Sequence, residues 1–390
     1  MKNILVLAAE NSAENYGAHI IDQFKKNEKD VHFFGVGGDK FTERGVEILL
    51  HNREFAVIGI IEVISSIIKF KRYMNFLIRK AREKKASAAL LIDFPDFNLR
   101  LAKKLKKAGI DVYYYISPTV WAWRYSRVKT IKKFVHHVFI IFPFEREIYE
   151  REKIPFTYTG HPLLPMIEIK KTKQQFKKHY NLKDDEVIIS LLPGSRPSEV
   201  KFMLPEMVKA IDLMKKKLNP RIFLLKAYTI DIEIISELIK KSGEKIQIID
   251  QNQGHDLINC SDLVITTCGT ANLEIAMIGV PFVVCYRVHS LSYLLGIHLV
   301  KIKLYSIVNI LAKEKIVPEL IQKNFKSDKI VEEAMNLLKN RKLREQMLIK
   351  FREIKKMLKQ EADPSEIIYK KLADDLFGEK MESLESEPKL

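Results

Sequence analysis

The sequence predicts an α/β protein made of two doubly wound domains facing each other across a cleft. Three observations predict it: short apolar runs alternate with helical patterns, the alternation occurs twice in series, and a lysine-rich stretch with little apolar periodicity divides the two series. At 390 residues and 47% hydrophobic content, the chain exceeds the usual size of one domain and has enough apolar side chain for two cores.

In the first series, residues 4–7, 31–34, 88–92, 112–116 and 138–142 read as buried strands. Segments between them, such as residues 99–108, show helical spacing with solvated lysines, the pattern of a parallel sheet covered on both faces. Residues 187–191, 222–225, 246–249, 263–266 and 282–285 repeat the arrangement. The expected organisation is a first domain over residues 1–166, a linker with a short helix over 167–186, and a second domain over 187–340. Helices and an acidic tail follow over 341–390. Open α/β sheets bind ligands beyond the carboxyl ends of their strands, so the chemistry is expected in the cleft.

Composition narrows the partners. The net charge of +17 suits nucleic acid, anionic lipid head groups and phosphorylated substrates alike. No zinc-finger spacing, basic helix with heptads or RNA-recognition pattern is present, so nucleic acid is not an expected partner. Cys260, Cys268 and Cys285 make neither an even disulfide set nor a metal cluster, which fits a reducing compartment. The amino terminus runs directly into a strand pattern without a cleavage site, and Glu62 and Lys69 interrupt the most apolar region, so neither export nor a membrane span is expected.

Five strand-end segments carry candidate chemistry. Leu191-Leu192-Pro193-Gly194-Ser195-Arg196, with Glu199 following, turns a strand into a helix. Gly194 permits close backbone approach, the helix start offers amides to an anion, and Arg196 adds a forked cation, a phosphate-binding combination. An ordinary turn with a surface arginine is the plain alternative. In residues 266–274, Gly269 and Thr270 can present amides and a hydroxyl to a diphosphate, while Glu274 can accept from a ribose diol. A capping turn would look the same. In Ile92-Asp93-Phe94-Pro95-Asp96-Phe97-Asn98, a carboxylate facing the cleft can take a proton from a sugar hydroxyl, or Asp96 or Asn98 can cap the helix. Spacing does not choose between Asp93 and Asp96. Both tryptophans of the chain, Trp121 and Trp123, fall in the segment 117–124 that ends in Arg124, which reads as a sugar or acyl platform or as core. Glu10, Ser12, Glu14 and Gly17 follow the first strand, as ligand contacts or as an acidic helix start.

Two further stretches blend apolar and basic residues. Residues 55–82 combine Ile, Val, Phe and Met with Lys69, Lys71, Arg72, Arg79, Lys80 and Arg82, and residues 286–304 repeat the blend. Such a face suits an anionic membrane surface, or it is a core helix with a solvated side.

Taken together, Pro95-Asp96-Phe97-Asn98, residues 117–124, Phe142-Pro143-Phe144-Glu145, Gly160-His161-Pro162, Leu192-Pro193-Gly194-Ser195-Arg196 and Gly269-Thr270-Ala271 resemble lipid-A-disaccharide synthases in order and spacing. Tyr286-Arg287, Asn309-Ile310-Leu311-Ala312 and Val317-Pro318-Glu319-Leu320 extend the resemblance over roughly residues 1–340. It implies the GT-B fold and a metal-independent, cofactor-free inverting transferase on the cytoplasmic face of an inner membrane. The implied substrates are UDP-2,3-diacylglucosamine and 2,3-diacylglucosamine 1-phosphate (lipid X), whose 6-hydroxyl attacks the anomeric carbon to give a β-1,6-linked disaccharide 1-phosphate and UDP. By resemblance Asp96 matches an aspartate needed for activity and Arg196 an essential arginine, with Gly194, Ser195, Gly269, Thr270 and Glu274 on the donor side. Glu10, Ser12, Asn98, Trp121, Trp123 and Arg124 fall on the acceptor side. A homodimer is admissible and unspecified.

One segment departs from the pattern. The family carries Gly-Glu-x-Ser-Gly-Asp where this chain reads Ala9-Glu10-Asn11-Ser12-Ala13-Glu14, so strain is expected wherever a glycine supplied a positive φ. Two rivals follow: a sugar-nucleotide 2-epimerase, which needs the same nucleotide cradle, and a non-catalytic binding relative.

Overall fold

Thirteen parallel strands form two separate sheets in the computed structural model, which describes residues 1–55, 62–121, 124–240, 243, 245–287 and 304–378, with 62–67 as backbone alone. The first unit comprises Met1–Pro162 and the chain from Leu358 onward; the second is Leu163–Met357.

The first sheet contains β1 (Lys2–Ala8), β2 (Val31–Gly37), β3 (Glu47–His51), β4 (Ala88–Ile92), β5 (Asp111–Tyr115), β6 (His137–Ile140) and β7 (Phe156–Tyr158), in the order β3-β2-β1-β4-β5-β6-β7. The second contains β8 (Ile188–Leu192), β9 (Arg221–Lys226), β10 (Gln247–Asp250), β11 (Leu263–Thr267), β12 (Phe282–Tyr286) and β13 (Glu319–Ile321), in the order β10-β9-β8-β11-β12-β13. In each, the chain works outward from a central strand and then returns to pair on its other side. Strand order therefore reverses between β1 and β4 and between β8 and β11, and at such switch points the following loops diverge and leave a crevice. Register places Ala8 opposite Ile92 and Leu192 opposite Thr266, so the candidate motifs start at these two crevices.

The continuous apolar runs have the expected cause. Ile4–Ala8, Ala88–Ile92 and Leu263–Ile265 are wholly buried because helices cover both sheet faces. The three strands without a sequence signal, β3, β7 and β13, are short or half-exposed edges, where that two-sided burial is absent.

The short helix expected within residues 167–186 is Lys173–His179, started by a reciprocal cap: Gln175 N–H donates to Thr172 Oγ1 and Thr172 N–H to Gln175 Oε1. Its Phe176 packs edge-on against Phe223 at 5.3 Å in the second core. Helix Arg341–Leu358 stacks Phe351 on Phe282 at 5.5 Å. Helix Pro364–Phe377 returns to the first unit, where Tyr369 meets Phe24 at 4.9 Å.

In helix Glu62–Glu83, Met74, Leu77 and Ala81 join the first core, while Ile68, Lys69, Lys71 and Arg72 are exposed. The second apolar and basic stretch, over 288–303, and the acidic tail from 379 lie outside the described residues. Among the described residues no helix is long and apolar enough to cross a membrane.

Candidate active site

At the first switch point β4 leads into two consecutive left-handed residues, Asp93 (φ 51°) and Phe94 (φ 48°), before helix Pro95–Lys107. Non-glycine residues adopt this geometry only when the surroundings fix it. Here Tyr114 Oη–H and Asn98 Nδ2–H both donate to the Asp93 carbonyl at 2.7 Å, and Asp93 N–H donates to the Tyr115 carbonyl at 2.9 Å. Asn98, expected at the acceptor side, is fully buried and acts as this brace; its Oδ1 is also buried, with no hydrogen-bond partner among the described residues.

Asp93 and Asp96 sit in opposite environments. Burial, reinforced by the charge of Glu10 and opposed by the Phe94 N–H, lifts the Asp93 carboxyl to about 6. The Asp96 side chain is 63% exposed, and its Oδ1 accepts from Arg124 Nη1 at 3.0 Å and Arg127 Nη2 at 2.6 Å. Arg127 carried no sequence signal. It begins the helix Arg127–Phe134 and its side chain is only 8% exposed.

Glu10 is exposed at the start of helix Asn11–Lys26, without a side-chain cap, and Ser12 is exposed in its first turn. The strain expected at the altered segment does not occur. Ala9 and Ala13 both have φ outside the positive range, and Ala13 lies within the helix. Glu14 turns inward instead, accepting from Gly38 N–H at 2.8 Å, Phe41 N–H at 3.0 Å and Asn52 Nδ2–H at 2.8 Å. This carboxylate braces the loop after β2.

Beyond β5, Trp121 is half-buried with its ring edge-on to Phe144 at 5.1 Å, and Arg124 is exposed with φ 51°. Trp123 lies outside the described residues.

At the second switch point Gly194 has φ 121°, and a Cβ there would stand 2.7 Å from Glu199 Cβ and Oε2. That conformation is why glycine stands at this position. Arg196 occupies the cap position of helix Pro197–Lys215 with its side chain 68% exposed. Glu199, 18% exposed, accepts from Ser195 N–H at 3.1 Å and from Arg196 Nη1 at 3.2 Å. Just past the neighbouring strand β11, Cys268 Sγ–H donates to the Tyr305 carbonyl at 3.3 Å, and burial pushes this thiol to about 12, leaving it unreactive. Gly269 and Thr270 open the helix Ala271–Ile278, and a Cβ on Gly269 would meet nothing within 4 Å. Burial raises the Glu274 carboxyl, and His255 opposes the rise. The second crevice thus combines backbone amides at a helix start, a forked cation and a half-buried carboxyl, a set suited to a nucleoside diphosphate. Among the described residues no group of three or more His, Cys, Asp or Glu side chains is arranged to hold a metal ion.

A family model described as lipid-A-disaccharide synthetase matches residues 4–371. The chain belongs to that family. The family's activity makes it a glycosyltransferase that forms the lipid A disaccharide from lipid A precursors. A lipid-A-disaccharide synthase of Myxococcus xanthus is 36% identical over 346 residues, covering 88% of this chain and 90% of that one. Solved structures agree on the fold. A UDP-GlcNAc 2-epimerase from Neisseria meningitidis, bound to UDP-GlcNAc, superposes with a TM-score of 0.62 over 96% of this chain and 100% of its own, at 12% identity. A calicheamicin glycosyltransferase gives 0.62 over 97% and 99%, at 11% identity. At such identities the likeness concerns the fold alone, that of a GT-B enzyme with two Rossmann-like domains.

Proposed function

We propose that the chain condenses UDP-2,3-diacylglucosamine with 2,3-diacylglucosamine 1-phosphate, releasing UDP and a β-1,6-linked disaccharide 1-phosphate. The observation that carries this reading is the division of chemistry between the two switch points. Carboxylates gather at the end of β4, and amides with Arg196 gather at the end of β8.

In this mechanism the acceptor's 6-hydroxyl attacks the anomeric carbon of the donor. The new C–O bond forms as the bond to the diphosphate breaks, and the hydroxyl proton passes to the carboxylate of Asp96. Arg124 and Arg127 orient that carboxylate through Oδ1. Once the diphosphate takes the place of Glu199 on the Ser195 N–H and the Arg196 guanidinium, these groups and the amides of residues 269–270 balance the charge that builds on it as it leaves, a fixed-dipole arrangement that operates without a divalent ion. Glu274 is proposed as the ribose contact, and Glu10, Ser12, Trp121, Trp123 and Arg124 as acceptor contacts. Asp93, raised toward neutrality, competes for the proton-accepting role.

The acylated substrates place the reaction at a membrane surface. The net charge of +17 and the exposed Ile68, Lys69, Lys71 and Arg72 support peripheral attachment to the anionic cytoplasmic face of the inner membrane.

The test pairs variants. Asp96→Asn should lower turnover by roughly 10²- to 10⁴-fold while UDP binding persists; near-normal turnover, with loss in Asp93→Asn instead, would transfer the base to Asp93. Arg196→Ala should raise the donor KM or lower kcat, and unchanged values for both would remove Arg196 from the donor site.

A further inference from the structure

Phe142-Pro143-Phe144-Glu145 belongs to the resemblance, yet none of its residues enters the mechanism above. Its Glu145 is 1% exposed, and burial lifts its carboxyl to about 7 against the stabilising pull of the Phe142 N–H, Ser117 hydroxyl and Ile141 N–H. The Ser117 hydroxyl donates to Oε1 at 2.9 Å, and the N–H groups of Ile141 and Phe142 donate to Oε2 at 3.3 and 3.1 Å. Burying a carboxylate costs free energy that an apolar residue at the same place would not, and three hydrogen bonds offset that cost here.

Those contacts join two strand-end loops. Ser117 opens the segment after β5 that carries Trp121 and Arg124. Ile141 and Phe142 leave β6 and enter the 3₁₀ turn Pro143–Glu145. In that turn Phe144 meets the Trp121 ring edge-on at 5.1 Å and lies parallel to Phe142 at 5.4 Å, with an interplanar angle of 5°. Trp121 Nε1 is buried and has no hydrogen-bond partner among the described residues, and the edge-on contact with Phe144 holds the indole against this turn. Three residues on, Arg124 reaches Asp96.

We propose that Glu145 is a positioning residue for acceptor binding: by tying the Ser117 hydroxyl to the 141–145 turn, it fixes the loop that presents Trp121 and Arg124 to the acylated sugar phosphate. This rests on the reading of residues 117–124 as the acceptor side. It touches neither substrate, and it acts through the loop.

The experiment compares Glu145→Gln and Ser117→Ala with the unmodified chain. It uses 2,3-diacylglucosamine 1-phosphate and UDP-2,3-diacylglucosamine in detergent, and reads both KM values, kcat and tryptophan emission. Trp121 and Trp123 are the chain's only tryptophans, so emission reports this loop. Loss of one such hydrogen-bonded tie is expected to raise the acceptor KM by about tenfold with the donor KM unchanged, and to shift emission to the red. The double variant should be no worse than the worse single one, because both cut the same link. An unchanged acceptor KM in both variants overturns the proposal. If Glu145→Gln fails to fold, Ser117→Ala alone decides, since it removes only the loop's hydroxyl. Trp121→Ala and Arg124→Ala separate the two levels: if these also leave the acceptor KM unchanged, the acceptor-side reading fails, whereas if they raise it while the Glu145 and Ser117 variants do not, only the role of Glu145 fails.

Discussion

Glu145→Gln also changes how stability depends on pH, and by an amount the structure sets. Burial holds the carboxyl at about 7 in the folded chain, against an ordinary 4.5. Because each pH unit between the two values is worth about 1.4 kcal/mol, the difference amounts to roughly 3 kcal/mol. The folded state binds this proton more tightly than the unfolded state. Stability from this group is therefore fully present below about 4.5, falls as pH rises from 4.5 to about 7, and is lost above that. Tyr149 and Tyr158 feel the charge of Glu145, but burial raises both above the usual tyrosine value, so they stay neutral across the window. The glutamine variant lacks the slope. Urea unfolding followed by tryptophan emission, at pH steps from 4.5 to 8, should show the unmodified chain gaining roughly 3 kcal/mol on the variant as the solution is acidified. Other titrating groups, Asp93 among them, act in both proteins and cancel. A difference that stays constant within about 1 kcal/mol across that range would refute the buried, proton-binding account of Glu145.

Two other substitutions probe local geometry. Gly194→Ala forces a side chain into φ 121° and 2.7 Å from Glu199; the strain of roughly 1–3 kcal/mol should displace the loop and weaken UDP binding about tenfold by calorimetry, and unchanged affinity would contradict the close-approach role. Ala13→Gly restores the residue type of the family pattern, yet Ala13 is helical with ordinary backbone, so thermal unfolding should show a loss of about 1 kcal/mol, and a gain would mean that this position is strained.

The central strands were legible because burial on both faces leaves uninterrupted apolar runs, as at Ala88–Ile92 and Leu263–Thr267. Edge strands such as Glu319–Ile321 lack that pressure and left no such pattern. The strand-end motifs were visible through their residue types: Gly194, singled out because glycine permits close backbone approach, has φ 121° at the end of β8. Their internal division of labour was not. Nothing in the spacing distinguishes the half-buried, braced Asp93 from the exposed Asp96, because the difference arises from Tyr114, Arg124 and Arg127, which come from β5 and the segment that follows it. The same holds for Glu14 and Glu145, acidic residues whose carboxylates turn inward to accept backbone N–H groups. A lone Glu in a sequence reads as solvated until its partners are known. The alanines at 9 and 13 read as a source of strain, but a helix starting at Asn11 accommodates Ala13 without it.

The most direct measurement is product formation by the purified chain. Donor and acceptor are incubated with it in detergent, and the mixture is resolved by mass. The account predicts a disaccharide 1-phosphate and UDP in equal amounts, both dependent on the acceptor. Consumption of the UDP-sugar without the acceptor, or tight binding of both substrates with no disaccharide formed, would contradict it.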